Sequence, residues 1–125
     1  VMKKKLIDKK KLIPETIFFL KMNYKKYNFH IVSGSDGEEL KFLCKKLNID
    51  KYFLTINGSP TPKNTIVSRL ITYYNLNNTE TCLIGDSIND YEAANNNNIT
   101  FYGFNNLLLS KLSENYIHNF ENFQF

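Results

Sequence analysis

Long apolar runs, metal-type cysteine spacings and secretory features are what this sequence lacks. No stretch approaches the ~20 consecutive apolar residues that a membrane-spanning helix needs, so we expect no membrane partner. The two cysteines, Cys44 and Cys82, are far apart and each lies in an apolar pattern, which predicts buried free thiols and a cytoplasmic location. The basic start of the chain has no apolar segment behind it, which argues against a secretory signal.

Signals for nucleic-acid binding are also scarce. Arginine interleaved with aromatic residues and zinc-finger spacings are both lacking. The net charge of +4 comes largely from lysines at positions 3–11. Such a cluster is more often a solvated basic end than a contact with nucleic acid. We therefore expect no nucleic-acid partner.

The pattern that is present alternates helix-like and strand-like segments. The 125 residues, of which 42% are apolar, suffice for one domain with a hydrophobic core. We predict buried strands over 29–32, 53–56, 82–84 and 99–102. Amphipathic helices are predicted over 14–26, 37–47, from 62 or 63 onward, 88–95 and 106–120. Regular alternation of this kind predicts a Rossmann-like three-layer α/β/α fold with a parallel sheet.

Parallel sheets bind ligands beyond the carboxyl ends of their strands, and an acidic loop follows the third predicted strand. Asp86 and Asp90 in this loop supply two carboxylates four residues apart, which can face the same way where a helix begins between them. Hard oxygen ligands of this type suit Mg²⁺. The alternative is a helix-capping box between Ser87 and Asp90.

A hydroxyl follows the first of these strands. Ser33 stands beside Gly34, and its hydroxyl together with the following N–H groups could hold a phosphate oxygen at a helix N-terminus. The alternative is again a cap, because Ser35 and Glu38 also have capping-box spacing.

A lysine begins the helix after the second strand. Lys63 follows a turn with two prolines, and a cation at a helix N-terminus is mildly unfavourable unless an anion lies nearby. The alternative is an ordinary solvated lysine. His30 and His118 have no nucleophile or acid beside them in sequence, so we expect both to be structural. Together, a hydroxyl, an ammonium and two carboxylates at one sheet edge are the groups that bind a phosphate and neutralise charge developing on it.

With these groups in this order, the sequence resembles the haloacid dehalogenase (HAD) superfamily of phosphatases over residues 12–104. Ser33 resembles the second motif of that family, Lys63 the third, and Gly85-Asp86-Ser87-Ile88-Asn89-Asp90 the fourth. The resemblance implies a Mg²⁺-dependent phosphomonoester hydrolase acting on a small phosphorylated substrate. Ser33, Gly34 and Lys63 would bind the phosphate, Lys63 would also orient the nucleophile as a catalytic residue, and Asp86 and Asp90 would hold the metal.

One departure from the family is large. The first motif, an apolar strand ending in Asp-x-Asp whose first Asp attacks phosphorus, has no counterpart among the 125 residues, since Asp8 is followed by lysines. We therefore expect a single partial core domain over 1–125, with 1–12 a linker or cap remnant, that does not turn over phosphate esters. A non-catalytic phosphate- or nucleotide-binding module is the alternative. A receiver-type signalling domain is disfavoured, because its acidic pair would precede the lysine.

The missing motif also has a structural consequence. In the family the first strand lies centrally, between the strands of the second and fourth motifs, so its loss would leave backbone groups unpaired. We expect the gap to close, copies of the chain to exchange strands and so self-associate, or a substitute strand to form within residues 2–8.

Overall fold

The computed structural model describes residues 2–4, 14–118 and 120. Strands and α-helices follow one another in the order β1 (Met2–Lys4), α1 (Pro14–Asn23), β2 (Phe29–Asp36), α2 (Gly37–Lys46), β3 (Thr55–Ser59), α3 (Lys63–Tyr73), β4 (Cys82–Gly85), α4 (Ile88–Asn96), β5 (Thr100–Phe104) and β6 (Tyr116–Ile117). Short 3₁₀ helices lie at Asp50–Tyr52, Asn78–Glu80 and Leu107–Lys111. Within the described ranges no helix is long and apolar enough to cross a membrane.

The six strands form one sheet in the order β3-β2-β1-β4-β5-β6, and every pairing is parallel. Consecutive strand residues point to opposite faces of a sheet. Accordingly Ile31 packs in a core with Phe19 of α1 and Leu40 of α2, whereas Val32 packs in a second core with residues of α3 and α4. The predicted three-layer α/β/α architecture is confirmed, and all the strands end at one common edge.

The central position of the sheet is occupied by β1. Met2 pairs with Phe29 of β2 on one side and Cys82 of β4 on the other, and Lys4 pairs with Ile84. Of the three expected outcomes, the structure shows a substitute strand in the central position, over Met2–Lys4. Met-Lys-Lys lacks the apolar run typical of a central strand, which is why periodicity did not place it there. Strand exchange between copies stays a prediction.

The predicted helix over 106–120 is wrong. The segment instead forms the 3₁₀ helix Leu107–Lys111 and then β6, which pairs parallel to β5. Hydrogen bonds to β5 account for the difference, because the Gly103 N–H donates to Asn115 O at 2.9 Å and the Ser113 side-chain Oγ donates to Phe101 O at 3.1 Å. Pairing with a sheet edge thus outweighs the helical spacing of the leucines.

Smaller differences concern strand ends. β2 extends to Asp36 rather than 32, because Asp36 still pairs with Ser59 of β3 although the side chains have become polar. Both cysteines are free and buried, as predicted, and burial raises the pKa of Cys44 to about 11 and that of Cys82 to about 12. His30 is also buried, with its Nδ1 2.6 Å from Thr55 Oγ1, so its surroundings fit the predicted structural role.

Candidate active site

The end of β2 presents the first of the predicted site residues. Ser33 is 2% exposed, and its Oγ accepts a hydrogen bond from the Ser35 N–H at 3.1 Å. A hydroxyl that accepts one bond can still donate its own proton, so this contact orients Ser33 without using up its donor. Gly34, which follows, is exposed at the same edge and lies next to Lys63: a Cβ at this position would be 3.7 Å from Lys63 Cε.

Lys63 is held in a buried ion pair rather than solvated. Its Nζ lies 3.1 Å from Asp90 Oδ1 and 3.3 Å from Ser87 Oγ. Its side chain is 10% exposed, and that of Asp90 is 0% exposed. Burying two charges is costly unless they are close and hydrogen-bonded, and both conditions are met here. The alternative of a solvated lysine is therefore wrong, and the predicted anionic partner is Asp90.

Asp90 also caps the helix that carries it. The Asp90 N–H donates to Ser87 Oγ at 3.3 Å, while Asp90 Oδ2 accepts from the Ser87 N–H at 3.2 Å and from Ser87 Oγ at 2.9 Å. The capping box predicted from the spacing is thus confirmed. The other predicted box is wrong, because α2 is capped by Asp36, whose Oδ2 accepts from the Glu39 N–H at 3.0 Å.

Glycine at position 85 makes room for this carboxylate. A Cβ on Gly85 would stand 2.3 Å from Asp90 Cβ and 2.5 Å from Asp90 Oδ2, closer than real Cβ contacts occur. Only a residue without a side chain lets Asp90 fold back against the end of β4. The glycine of the acidic loop is therefore required by packing.

Asp86 lies one residue beyond β4 and is partly exposed. Its backbone carbonyl accepts from Asn106 Nδ2 at 3.1 Å. Asn106 is held in turn, because its N–H donates to Tyr116 Oη at 3.0 Å and its Oδ1 accepts from the Leu108 N–H at 3.2 Å. Sequence reasoning missed Asn106 by placing it at a helix start. Its position just after a strand, at the edge where ligands bind, was the available signal.

The donor set at this edge suits a magnesium ion with few protein ligands. Among the described residues, no group of three or more His, Cys, Asp or Glu side chains is arranged to hold a metal. Magnesium commonly takes one or two carboxylates and completes its shell with water and phosphate oxygens. Asp86 fits that role as a partly exposed carboxylate, whereas both oxygens of Asp90 already face Lys63 and Ser87. The metal roles of Asp86 and Asp90 stay predictions.

Comparison with known proteins gives a consistent result. A family model described as haloacid dehalogenase-like hydrolase matches residues 1–104. A haloacid dehalogenase-like hydrolase from Streptococcus pneumoniae is 21% identical with a TM-score of 0.77, over 86% of this chain and 56% of that one. A HAD-superfamily hydrolase from Ehrlichia chaffeensis is 25% identical with a TM-score of 0.73, over 88% of this chain and 54% of that one.

A predicted phosphoglycolate phosphatase from Haemophilus somnus is 18% identical with a TM-score of 0.78, over 90% of this chain and 55% of that one. The chain therefore spans little more than half the length of these solved structures. No curated protein sequence matches it.

Proposed function

The chain belongs to the haloacid dehalogenase-like hydrolase family, and on that premise we propose that its candidate site binds a phosphate monoester together with Mg²⁺. The observation that carries the proposal is the buried Lys63–Asp90 pair beside the Ser33 strand end. The ammonium group lies at the carboxyl edge of the sheet, where backbone N–H groups of the loops are also available. Together these donors suit an anion.

The residues divide the work as follows. The Ser33 hydroxyl and the Gly34 N–H would bind phosphate oxygens, and the Lys63 ammonium would balance their charge. Asp90 keeps the lysine in place from a side chain that is 0% exposed, so we assign it a positioning role rather than direct contact with substrate. Asp86 would hold the metal, which when bound would supply further neutralisation of the phosphate charge.

Turnover is a separate matter from binding. Phosphoryl transfer through an aspartyl-phosphate needs a nucleophilic carboxylate, and no Asp-x-Asp segment occurs in the 125 residues. We therefore propose that this chain binds phosphate esters without hydrolysing them. The same observation favours the second candidate function, a non-catalytic phosphate- or nucleotide-binding module on this fold. The two buried cysteines, which form no disulfide, support a cytoplasmic location for either function.

Calorimetric titration with inorganic phosphate tests the binding part, with and without Mg²⁺. We expect binding in the presence of Mg²⁺, with an affinity about tenfold lower after Asp86→Ala, because one charged ligand is worth roughly that factor. Asp36→Ala is the matched control, since Asp36 is also an acidic residue at the end of a strand, but its side chain caps α2. A second titration with Mg²⁺ alone measures the metal affinity directly, and equal magnesium affinities of the parent and Asp86→Ala would remove the metal assignment.

Hydrolysis of p-nitrophenyl phosphate tests the turnover part. We expect no Mg²⁺-dependent turnover above the buffer rate. Robust hydrolysis that disappears on chelation would refute the argument from the missing nucleophile, while leaving the binding site itself supported.

A further inference from the structure

The edge of the sheet that β3 forms is bordered by a groove of about 510 Å³. β3 pairs with β2 on one side, and no described strand lies on its other side. The groove is lined by β3 itself, by the start of α2 on one face of the sheet and by α3 on the other face. Ser33, Lys63 and Asp86 do not line it, so a role for this groove does not depend on the proposed function.

The backbone groups on the outer side of β3 are available to a further strand. The Leu54 N–H donates to Phe29 O of β2 at 2.8 Å, and successive residues of a strand point their N–H and C=O groups to opposite sides. Thr55 and Asn57 therefore direct these groups away from β2. Their side chains turn back towards β2, because Asn57 Nδ2 donates to Ile31 O at 3.1 Å and to Thr55 Oγ1 at 2.8 Å. β3 also contains no lysine or proline, the residues that commonly protect an exposed strand edge.

The groove offers one cation to a ligand. Among its charged residues, Asp36 caps α2, and Lys41 Nζ lies 3.7 Å from Glu38 Oε1. The remaining one, Arg69, is exposed, and within the described part of the chain no hydrogen bond or ion pair involves its side chain. A guanidinium group binds a carboxylate through two parallel hydrogen bonds, which an ammonium group cannot form. Arg69 therefore suits an acidic side chain of a partner.

An aromatic contact point lies one helical turn from this arginine. Tyr73 is 81% exposed, and its ring centroid lies 4.9 Å from that of Tyr74, which in turn lies 5.0 Å from the ring of His30. Arg69 and Tyr73 are four residues apart on one side of α3, about 6 Å along the helix axis. Alternate residues of a strand share one face and are about 6.7 Å apart. A strand added to β3 can therefore place one side chain on Tyr73 and the next but one on Arg69.

A second copy of the chain matches this edge less well than a different peptide does. Two β3 strands paired about a two-fold axis would bring both α3 helices to the same face of the joined sheet. α3 contains no acidic residue, so each Arg69 would face a helix without a carboxylate. A peptide with an acidic side chain supplies the missing charge.

We propose that the outer edge of β3 is a docking site for an extended peptide segment of a partner protein, which carries an apolar and an acidic side chain two residues apart. The segment adds a further strand to the sheet. Hydrogen bonds to the backbone of Thr55 and Asn57 provide affinity, while Tyr73 and Arg69 provide specificity. This division of roles is usual where a peptide extends a sheet.

Terminally blocked, fluorescein-labelled peptides test the proposal by fluorescence anisotropy with the whole chain. The peptides Thr-Val-Thr-Phe-Thr-Glu-Thr and Thr-Glu-Thr-Phe-Thr-Val-Thr present the two side chains for parallel and antiparallel addition. The matched control, Thr-Val-Thr-Phe-Glu-Thr-Thr, has the same composition but puts Phe and Glu on opposite faces of a strand. We expect one of the first two to bind about tenfold more tightly than the control, from one ion pair and one aromatic contact.

N-methylation of the tighter peptide tests strand addition itself. Every second N–H of an added strand points to β3, so methyl groups on one alternating set of residues should reduce binding more than about tenfold. Methyl groups on the other set should leave binding unchanged. Contact through side chains alone would not distinguish the two sets.

One variant and its control test the specificity. Arg69→Gln should weaken the tighter peptide about threefold and remove its advantage over the same peptide with Gln in place of Glu. Lys21→Gln, an equal change of charge at an exposed lysine of α1 outside the groove, should alter neither value.

Four results would overturn the proposal. Equal binding of the first two peptides and the control would remove the spacing argument, and equal effects of the two methylated sets would exclude strand addition. Equal losses in Arg69→Gln and Lys21→Gln would mean that overall charge attracts the peptide. A chain that sediments as a dimer and excludes the peptide would assign the edge to a second copy.

Discussion

The Lys63–Asp90 ion pair offers the sharpest test of how this site is built. Asp90→Asn keeps the size and the acceptor oxygen of the side chain but removes the charge that faces Lys63 Nζ at 3.1 Å. Removing one charge of a buried pair costs ~3–5 kcal/mol, because the desolvation of the remaining charge is no longer offset. The retained amide oxygen can still cap α4, so we expect the lower end, about 3 kcal/mol of unfolding free energy.

Urea denaturation followed by circular dichroism measures this change. The melting temperature of a domain of this size falls by ~4 °C for each kcal/mol of unfolding free energy that is lost. We therefore expect Asp90→Asn to lower the melting temperature by about 12 °C. The matched control is Glu92→Gln, an exposed carboxylate on the same helix, which should change stability by less than ~0.5 kcal/mol. The double variant Lys63→Met/Asp90→Asn removes both charges and should recover at least ~1 kcal/mol of the loss.

Two results would refute the reasoning. If Asp90→Asn is as stable as Glu92→Gln, the buried pair does not hold the site together. The second result is additivity. If the loss of stability in the double variant equals the sum of the losses in Asp90→Asn and Lys63→Met, the two side chains act independently and Asp90 does not position the lysine.

Three further predictions concern packing, pairing and pH. Gly85→Ala places a methyl group 2.3 Å from Asp90 Cβ, so it should destabilise the fold by ~2–4 kcal/mol in urea denaturation and weaken phosphate binding; an unchanged midpoint would contradict the close approach. Lys3→Pro removes a backbone donor from the central strand and should cost ~3 kcal/mol more than Lys3→Ala; equal losses would mean that this strand contributes little. The thiols have folded pKa values of about 11 (Cys44) and about 12 (Cys82), above the ordinary 9.0, so the folded state holds their protons more tightly than the unfolded state. The thiols therefore contribute their full stabilisation below pH 9. As the pH rises from 9 towards 11, each thiol should lower the free energy of unfolding by up to ~1.4 kcal/mol for every pH unit. Cys44→Ala and Cys82→Ala should each flatten this part of the plot of stability against pH.

The sequence was sufficient for the general architecture and for choosing the residues of the candidate site, whose roles stay predictions. Apolar periodicity identified four strands and four helices, and their alternation implied the parallel sheet that the structure has. The apolar-to-polar boundaries of the chain drew attention to the candidate residues Ser33, Lys63 and Asp86, because each lies where an apolar segment gives way to polar residues. These are local properties of the chain, since they depend on neighbours a few residues away.

Two elements could not be placed from apolar periodicity, because non-local contacts decide them. The Met-Lys-Lys of β1 has no strand-like apolar pattern, and only its parallel neighbours on both sides place it in the centre of the sheet. β6 has leucines at helical spacing before it, and only the free edge of β5 makes a short strand the better arrangement there.

For the site, the spacing of Ser87 and Asp90 supported both a capping box and a metal ligand. The capping box depends on one helical turn, so the sequence alone determined it. The contact of Asp90 with Lys63 joins residues 27 positions apart, and that of Asn106 with Asp86 joins residues 20 positions apart. Such contacts exist only once the strands have assembled, because sheet order determines which loops meet. The residue types at the site are therefore a property of the sequence, whereas which of them face one another was decided by the tertiary structure.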